Sequence, residues 1–101
     1  MLSKVKKSSA RTSRLAKRKR GDIDIMASIL NEAHEGARKT RIMYRCNLSH
    51  RQLQVYLKLL SRMGFLESAS EKEGSELDLF KTTAKGREFL ETYRTLRALM
   101  T

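Results

Sequence analysis

The sequence predicts one small domain that is mainly α-helical and carries a short β-hairpin, an α+β class, behind a basic N-terminal arm. Three observations support this prediction. Apolar residues recur at intervals of three and four in several stretches after residue 20, which is the spacing of one helix face. Gly36, Asn47 and Gly64 follow the first three stretches and suit the left-handed backbone that ends helices. Two short apolar runs flank a polar segment containing Gly74, which is typical of a hairpin.

The charge of the chain is large and unevenly distributed. The 101 residues carry a net charge of +11 with a pI near 10.3, which indicates a polyanionic partner such as DNA, RNA or an anionic membrane surface. Residues 1–20 hold nine Lys or Arg and no acid. Residues 21–101 hold the other thirteen basic residues and all eleven acidic ones, a balance of +2. The chain is therefore a basic arm joined to a nearly neutral domain.

The cellular compartment follows from what the sequence lacks. No apolar run reaches the roughly 18 residues that would cross a bilayer, and no apolar segment follows the basic start as in a secretory signal. Cys46 has no second cysteine for an internal disulfide, which favours a reducing environment. We therefore expect a cytoplasmic, nucleoid-associated protein that does not bind membranes.

The arm, residues 1–20, has too few apolar side chains to offset the entropy lost on ordering, so we expect it to be disordered when free. Blocks of like charge often form interaction tails, and this one is suited to following phosphates or entering a minor groove. A solubilising tail is the alternative. Membrane binding is less favoured because the arm lacks a bulky apolar face.

Two helices are predicted before the central one. Asp22 is expected to cap the first helix, which Gly36 ends. Thr40 is expected to cap a second, short helix over Arg41 to Cys46, and Asn47 is expected to adopt a left-handed turn conformation. The inward-facing residues predicted from their spacing are Ile23, Met26, Ile29, Leu30 and Ala33 in the first helix and Ile42, Met43 and Cys46 in the second.

The third helix, starting at Ser49, has the strongest signals. Ser49 and Gln52 have the spacing of a capping box, and Leu48 and Leu53 that of a hydrophobic staple. The apolar face predicted to enter the core comprises Leu53, Tyr56, Leu57, Leu60 and Met63. The opposite face comprises His50, Arg51, Gln54, Lys58, Ser61 and Arg62. No Asp or Glu occurs from Gly36 to Leu66, whereas ordinary solvated faces mix the two signs.

The sequence after Gly64 predicts a hairpin and a last helix. We expect strands over Phe65 to Ser70 and Leu77 to Thr82, although the pattern leaves open which face of the second strand is buried. Thr83 should cap a last helix that runs to about Met100. Its coiled-coil spacing predicts a homodimer seam of Phe89, Tyr93, Leu96 and Met100. The alternative is that this stripe only covers its own domain.

This order of elements is a winged helix-turn-helix with a C-terminal helix. We assign residues 1–20 to the basic arm, 21–82 to the winged helix-turn-helix core and 83–101 to the C-terminal helix, which we expect from its spacing to be a dimerisation element. The motifs also resemble an archaeal winged-helix DNA-binding family over residues 21 to 100. The matching segments are Lys39-Thr40-Arg41-Ile42-Met43-Tyr44, Asn47-Leu48-Ser49, Gln52-Leu53 and Thr83-Ala84-Lys85-Gly86-Arg87.

The resemblance implies a small protein that dimerises through its last helix as an antiparallel coiled coil and acts as a chromatin-type DNA binder or transcriptional regulator. Two features depart from it. The wing is acidic, with Glu71, Glu73, Glu76 and Asp78 against Lys72, and phosphates would repel it. We also expect the last helix to end one residue after Met100, which would make it too short for a long coiled coil.

Catalytic and metal chemistry is not favoured. His34, Cys46 and His50 are the strong transition-metal ligands, whereas zinc needs three or four ligands that converge. No nucleophile has a base and an orienting group near it in the pattern, and no glycine-rich phosphate loop is present. We expect neither an enzyme nor a bound cofactor.

The sequence thus predicts a double-stranded-DNA-binding protein that is a homodimer. The expected recognition residues are His50, Arg51, Gln54, Lys58 and Arg62. The expected backbone contacts are Arg38, Lys39, Arg41, Arg45, Ser49, Lys17, Arg18, Lys19 and Arg20. Two alternatives remain open: an RNA- or ribosome-associated protein, which the same charge would serve, and a protein-interaction adaptor that uses its winged helix.

Overall fold

Four helices and a three-stranded antiparallel sheet form the part of the chain that the computed structural model describes, residues 21–68 and 79–101. The elements in chain order are α1 (Asp22–Glu32), β1 (Ala37–Arg38), α2 (Lys39–Arg45), α3 (His50–Arg62), β2 (Leu66–Ser68), β3 (Leu79–Thr82) and α4 (Ala84–Leu99). The predicted fold class is confirmed. The predictions for the arm, including Lys17, Arg18, Lys19 and Arg20, and for the acidic wing tip lie outside the described residues.

The sheet has the strand order β1-β3-β2. Leu66 pairs with Thr82 and Ser68 with Phe80, which is the predicted hairpin. The two-stranded prediction was wrong in one respect, since Ala37 pairs with Phe80 from the other side and makes β1 a third strand. Two residues are too few to give an alternating pattern, so the sequence carries no signal for β1.

The buried face of β3, which the pattern left open, is now assigned. Thr82 is buried and Phe80 half-buried, whereas Leu79 and Lys81 are exposed. The Thr82 hydroxyl donates to the Leu30 carbonyl at 2.7 Å, and its backbone N–H donates to the Ala33 carbonyl at 3.0 Å. These two bonds satisfy carbonyls that the end of α1 leaves without helical partners, so β3 is fixed to α1.

One core lies between the helices and the sheet. Its largest fully buried apolar side chains come from α1, α2 and α3 and are Ile29, Leu30, Ile42, Leu53 and Leu60. Leu66 of β2 and Leu90 of α4 complete it.

The first helix differs from its prediction at two points. Asp22 is not the cap, because the helix begins at Asp22 and Gly21 occupies the cap position without a side-chain hydrogen bond. Ile23 was expected to face inward but is 54% exposed, while Ile25 and Ala27 are buried. Because α1 contacts α2, β3 and α4, its buried arc is wider than the single stripe that the spacing described.

The second helix begins earlier than predicted. Arg38 is its cap residue, so Thr40 lies inside the helix and is not the cap. β1 runs directly into α2, which fixes this start. Asn47 has a φ of 56°, as predicted, and Ile42 and Cys46 are buried while Met43 is half-buried.

The third helix begins as predicted. The Ser49 hydroxyl accepts from the Gln52 N–H at 3.1 Å, and the Gln52 side chain accepts from the Ser49 N–H at 2.9 Å. Leu57 is buried with Leu53 and Leu60, and Tyr56 is half-buried. Met63 was expected in the core but is exposed, because it is the residue after the last helical turn.

The Thr-x-Lys-Gly segment joins α4 to the end of α3. The Thr83 hydroxyl donates to the Gly64 carbonyl at 2.6 Å and accepts from the Gly86 N–H at 3.0 Å, so the predicted cap is confirmed. The Lys85 ammonium donates to the Met63 carbonyl at 2.9 Å. A Cβ on Gly86 would lie 2.3 Å from the Phe65 carbonyl oxygen, so no other residue fits there. These contacts hold the C-terminal end of α3 in place.

Candidate nucleic-acid interface

The outer face of α3 forms a continuous stripe along the helix, made of Arg51, Val55, Lys58 and Arg62. Their spacing of four, three and four residues aligns the side chains on one side of the helix, opposite buried Leu53 and Leu60. All four side chains are exposed. Within residues 21–68 and 79–101, none of the three cations lies within ion-pair distance of a carboxylate.

Two further predicted residues flank this stripe at the start of α3. His50 is exposed, Gln54 is half-buried, and their Nε2 atoms lie 3.4 Å apart, within hydrogen-bond distance. An amide N–H₂ can only donate, so Gln54 is the donor in this contact. The contact orients the Gln54 amide, whose oxygen and nitrogen form the pair of groups that reads adenine in a major groove.

The cations on α2 are in a different situation. Arg41 Nε lies 3.1 Å and Arg45 Nε 3.6 Å from the same Glu32 carboxylate oxygen, and the Glu32 side chain is only 16% exposed. The sequence analysis assigned both arginines to the DNA backbone and did not anticipate this partner, because Glu32 lies outside the acid-free segment that begins at Gly36. A phosphate would have to compete with Glu32 for them.

Of the other predicted backbone contacts, the structure describes Arg38, Lys39 and Ser49, and none of the three pairs with a carboxylate within the described ranges. Arg38 is exposed on β1 and Lys39 is half-buried at the start of α2. The hydroxyl of Ser49 accepts the capping hydrogen bond, which leaves its O–H available to donate to a phosphate. The structure therefore brings Arg38, Lys39 and Ser49 to the surface beside the two helices.

The predicted dimer seam divides into two parts. Phe89 is half-buried against Phe65, with ring centroids 5.1 Å apart, and Tyr93 is half-buried and donates its hydroxyl hydrogen to Asp24. Leu96 is 51% and Met100 71% exposed. The first half of the stripe thus covers its own domain, as the alternative reading expected, and the second half remains on the surface.

The contact between α4 and α1 is polar at its edge. The Arg94 guanidinium donates to the Asn31 side-chain oxygen at 3.0 Å, and Arg97 lies 3.7 Å from Asp24. Burial raises the pKa of the Tyr93 phenol above its usual range, and the hydrogen bond to Asp24 and the charge of that carboxylate raise it further.

Two exposed side chains were missed by the sequence analysis. Val55 is 59% exposed in the middle of the α3 stripe, and Tyr44 is exposed on α2. Counting four residues from Arg51 and three back from Lys58 would have found Val55. Tyr44 falls opposite Ile42 and Cys46 on α2, but so short a helix gives too few positions to define a face.

The described residues also line two concave regions of the surface. Those residues include no group of three or more His, Cys, Asp or Glu that could hold a metal ion. An indentation between α2 and α3 has a volume of about 40 Å³. An open groove between α1 and α4, lined by Ser28, Asn31 and Tyr93 among others, has a volume of about 260 Å³, just below the roughly 300 Å³ at which pockets for small molecules begin. No helix within the described ranges is long and apolar enough to cross a membrane.

Comparison with protein families decides the assignment. A family described as winged helix-turn-helix matches residues 19–101. The chain belongs to the winged helix-turn-helix family. In the fold of this family, α2 and α3 correspond to the helix-turn-helix pair, and β2 and β3 correspond to the strands of the wing. A search of curated proteins returned no match.

Solved structures agree with the winged helix-turn-helix assignment. The chain is similar to Sso10a-2, a DNA-binding protein from Sulfolobus solfataricus, at 26% identity and a TM-score of 0.66, covering 80% of this chain and 85% of that one. This likeness agrees with the archaeal resemblance seen in the motifs.

Two bacterial structures share the fold. The Staphylococcus aureus MepR–DNA complex is 16% identical with a TM-score of 0.64, covering 95% of this chain and 83% of that one. NMB1585, a MarR family regulator from Neisseria meningitidis, is 14% identical with a TM-score of 0.61, covering 95% of this chain and 68% of that one.

Proposed function

We propose that this winged helix-turn-helix protein binds double-stranded DNA with the outer face of α3 in the major groove, as a transcriptional regulator or a chromatin-associated protein of the nucleoid. The observation that carries the proposal is the stripe on α3, whose three cations have no carboxylate partner among the described residues. A helix fits the major groove, and unpaired cations there gain the most from phosphates because no ion pair has to be broken.

The residues have separate roles in this proposal. Gln54, oriented by His50, reads adenine, and Arg51 reads guanine or holds a phosphate. Lys58 and Arg62 follow the backbone farther along the helix. Arg38, Lys39 and Ser49 hold phosphates beside α3, together with the basic arm at Lys17, Arg18, Lys19 and Arg20. Arg41 and Arg45 contribute less because Glu32 already binds them.

The similar proteins with solved structures support this function. Sso10a-2 is described as a DNA-binding protein, MepR was solved in a complex with DNA, and NMB1585 is described as a regulator of the MarR family. Their common architecture with this chain makes duplex DNA the first partner to test.

The direct test is the affinity of the full chain for a random 20-base-pair duplex at several salt concentrations. If about eight phosphates are neutralised, log affinity should fall with log salt at a slope near −7. The same titration on the chain without residues 1–20 shows how much the arm contributes to the affinity and to the salt slope. Tighter binding to structured RNA than to duplex DNA at the same salt would favour the RNA alternative, and failure to bind either at low salt would favour the protein-interaction adaptor.

We propose in addition that two copies associate through the C-terminal half of α4. Leu96 and Met100 lie one turn apart on one side of the helix, both more than half exposed, and apolar side chains at this spacing bury each other in a coiled coil. Tyr93 and Arg94, which precede Leu96 in α4, are held against α1 by Asp24 and Asn31 and would not be free to join the seam. A dimer would present two copies of α3 to one duplex.

A matched pair of variants tests the dimer. Leu96→Asp places a charge in the seam, whereas Ala98→Asp places the same charge on the opposite side of the same helical turn. Sedimentation should give a dimer for the wild type and for Ala98→Asp, and a monomer for Leu96→Asp. A dimer that persists in Leu96→Asp would show that association uses another surface.

A further inference from the structure

Val55 is the one apolar side chain in the α3 stripe. Arg51 lies one turn before it and Lys58 one turn after it, and its side chain is 59% exposed between them. It contributes nothing to the core, which lies on the other side of α3. As a β-branched residue it is also a poorer helix former than the long polar residues around it. Neither packing nor helix propensity therefore accounts for a valine at this position.

The position of Val55 relative to the proposed DNA contacts is informative. Gln54 precedes it and Arg51 and Lys58 border it, so a duplex that engages these polar groups must come into contact with Val55 as well. In the major groove, the thymine C5-methyl is the apolar group that a base edge presents. A valine side chain that meets this methyl group removes apolar surface of both groups from water, whereas cytosine offers a hydrogen at the same place.

We propose that Val55 is a specificity-determining residue that contacts the C5-methyl of thymine when α3 lies in the major groove. The inference rests on the proposed function and extends it, because it names the base group that the apolar part of the stripe reads. Gln54 and Val55 together would favour DNA sites in which an adenine edge and a thymine methyl group are neighbours in the major groove.

The test uses two random 20-base-pair duplex libraries that are identical except that deoxyuridine replaces thymine in one. Deoxyuridine pairs as thymine does and lacks only the C5-methyl. The libraries carry different labels and compete for a limiting amount of the full chain at fixed salt. The wild type should prefer the thymine library about fourfold, the equivalent of about 0.8 kcal/mol for one buried methyl-sized group.

Two variants assign the preference to this side chain. Val55→Ala should lower the ratio between the libraries toward one, because alanine lacks the two γ-methyl groups with which valine would cover the thymine methyl. Ile23→Ala removes a β-branched side chain of similar exposure, 54%, from α1 and should keep the wild-type ratio. Both sites are exposed, so circular dichroism and the melting temperature should stay near those of the wild type.

Two results would overturn the inference while leaving the proposed function intact: equal binding of both libraries by the wild type, or an unchanged thymine preference in Val55→Ala. The first would be expected if Val55 contacts a protein partner instead. Failure of the wild type to bind either library at low salt is a separate result, and it would overturn the proposed function together with the inference.

Discussion

The charged side chains on the outer face of α3 and those on α1 differ in whether they have a partner of opposite charge or a hydrogen-bond donor within the described part of the protein. On the outer face of α3, Arg51, Lys58 and Arg62 have no carboxylate partner among the described residues. On the side of α1, every carboxylate is engaged by another element: Asp22 by Tyr56, Asp24 by Tyr93 and Arg97, and Glu32 by Arg41 and Arg45. The comparison teaches that the number of cations in a segment does not tell how many are available to a partner.

The largest expected effect comes from removing cations on the α3 side. Arg51→Ala/Lys58→Ala should weaken duplex binding by the domain without its arm about 100-fold and lower the salt slope by about two, because two unpaired cations are lost from the groove. Fluorescence anisotropy over a series of salt concentrations measures both quantities. Binding as tight as that of the unmutated domain would show that α3 is not the recognition helix.

The matched control removes the same charge from α2. Arg41→Ala/Arg45→Ala should weaken binding by no more than about fivefold, because part of the attraction of these residues is already taken by Glu32. If the two double variants lost equal affinity, the distinction between paired and unpaired cations would have no consequence for binding.

Removing the acid instead of the bases should act in the opposite direction. Glu32→Gln releases both arginines, so we expect duplex affinity to rise about two- to fivefold and the salt dependence to become steeper. Glu35→Gln is the control, since it removes the same charge from an exposed side chain that contacts no arginine. An equal gain in both variants would mean that only net charge matters.

The smallest effect concerns Tyr93 on the α1 side, and it is a change in stability. The pKa of Tyr93 is raised in the folded state by burial first and then by Asp24, so the folded state favours the neutral phenol. The stabilising contribution is complete below the ordinary tyrosine pKa of about 10 and is lost as the pH rises through the higher folded value.

Urea unfolding of the wild type and of Tyr93→Phe between pH 8 and 12 measures this contribution. The free energy of unfolding of the wild type should fall more steeply above about pH 10 than that of Tyr93→Phe. Tyr44→Phe removes a tyrosine that contacts neither Asp22 nor Asp24 and should follow the wild-type profile. Parallel curves for wild type and Tyr93→Phe would contradict the raised pKa.

Local signals in the sequence were sufficient for most of the fold. Ser49, Gln52 and Thr83 make the capping bonds that their spacing predicts, and Asn47 and Gly64 have the left-handed backbone expected of them. The predictions that were wrong concern contacts that form only in the folded chain. β1 exists because Phe80 and Leu79 of β3 are there to pair with it, and Ile23 is exposed because other elements determine which arc of α1 is covered.

The surface position of part of the candidate site also follows from the sequence, whereas its role in binding stays a prediction. The acid-free cationic face of α3 follows from helical spacing alone, because a helix fixes which side chains share a side. The pairing of Glu32 with Arg41 and Arg45 joins two helices, so no local pattern contains it. The docking of Tyr93 and Arg94 on α1, while Leu96 and Met100 stay exposed, likewise depends on Asp24 and Asn31 of α1.

The most direct test of the central claim is a residue-resolved NMR titration of the full chain with a 20-base-pair duplex. We expect the largest shifts of backbone amide and side-chain signals along α3 at Arg51, Gln54, Val55 and Lys58, with smaller shifts at Arg41 and Arg45. Large shifts confined to α1 and α4, with α3 unaffected, would contradict recognition of DNA by the outer face of α3.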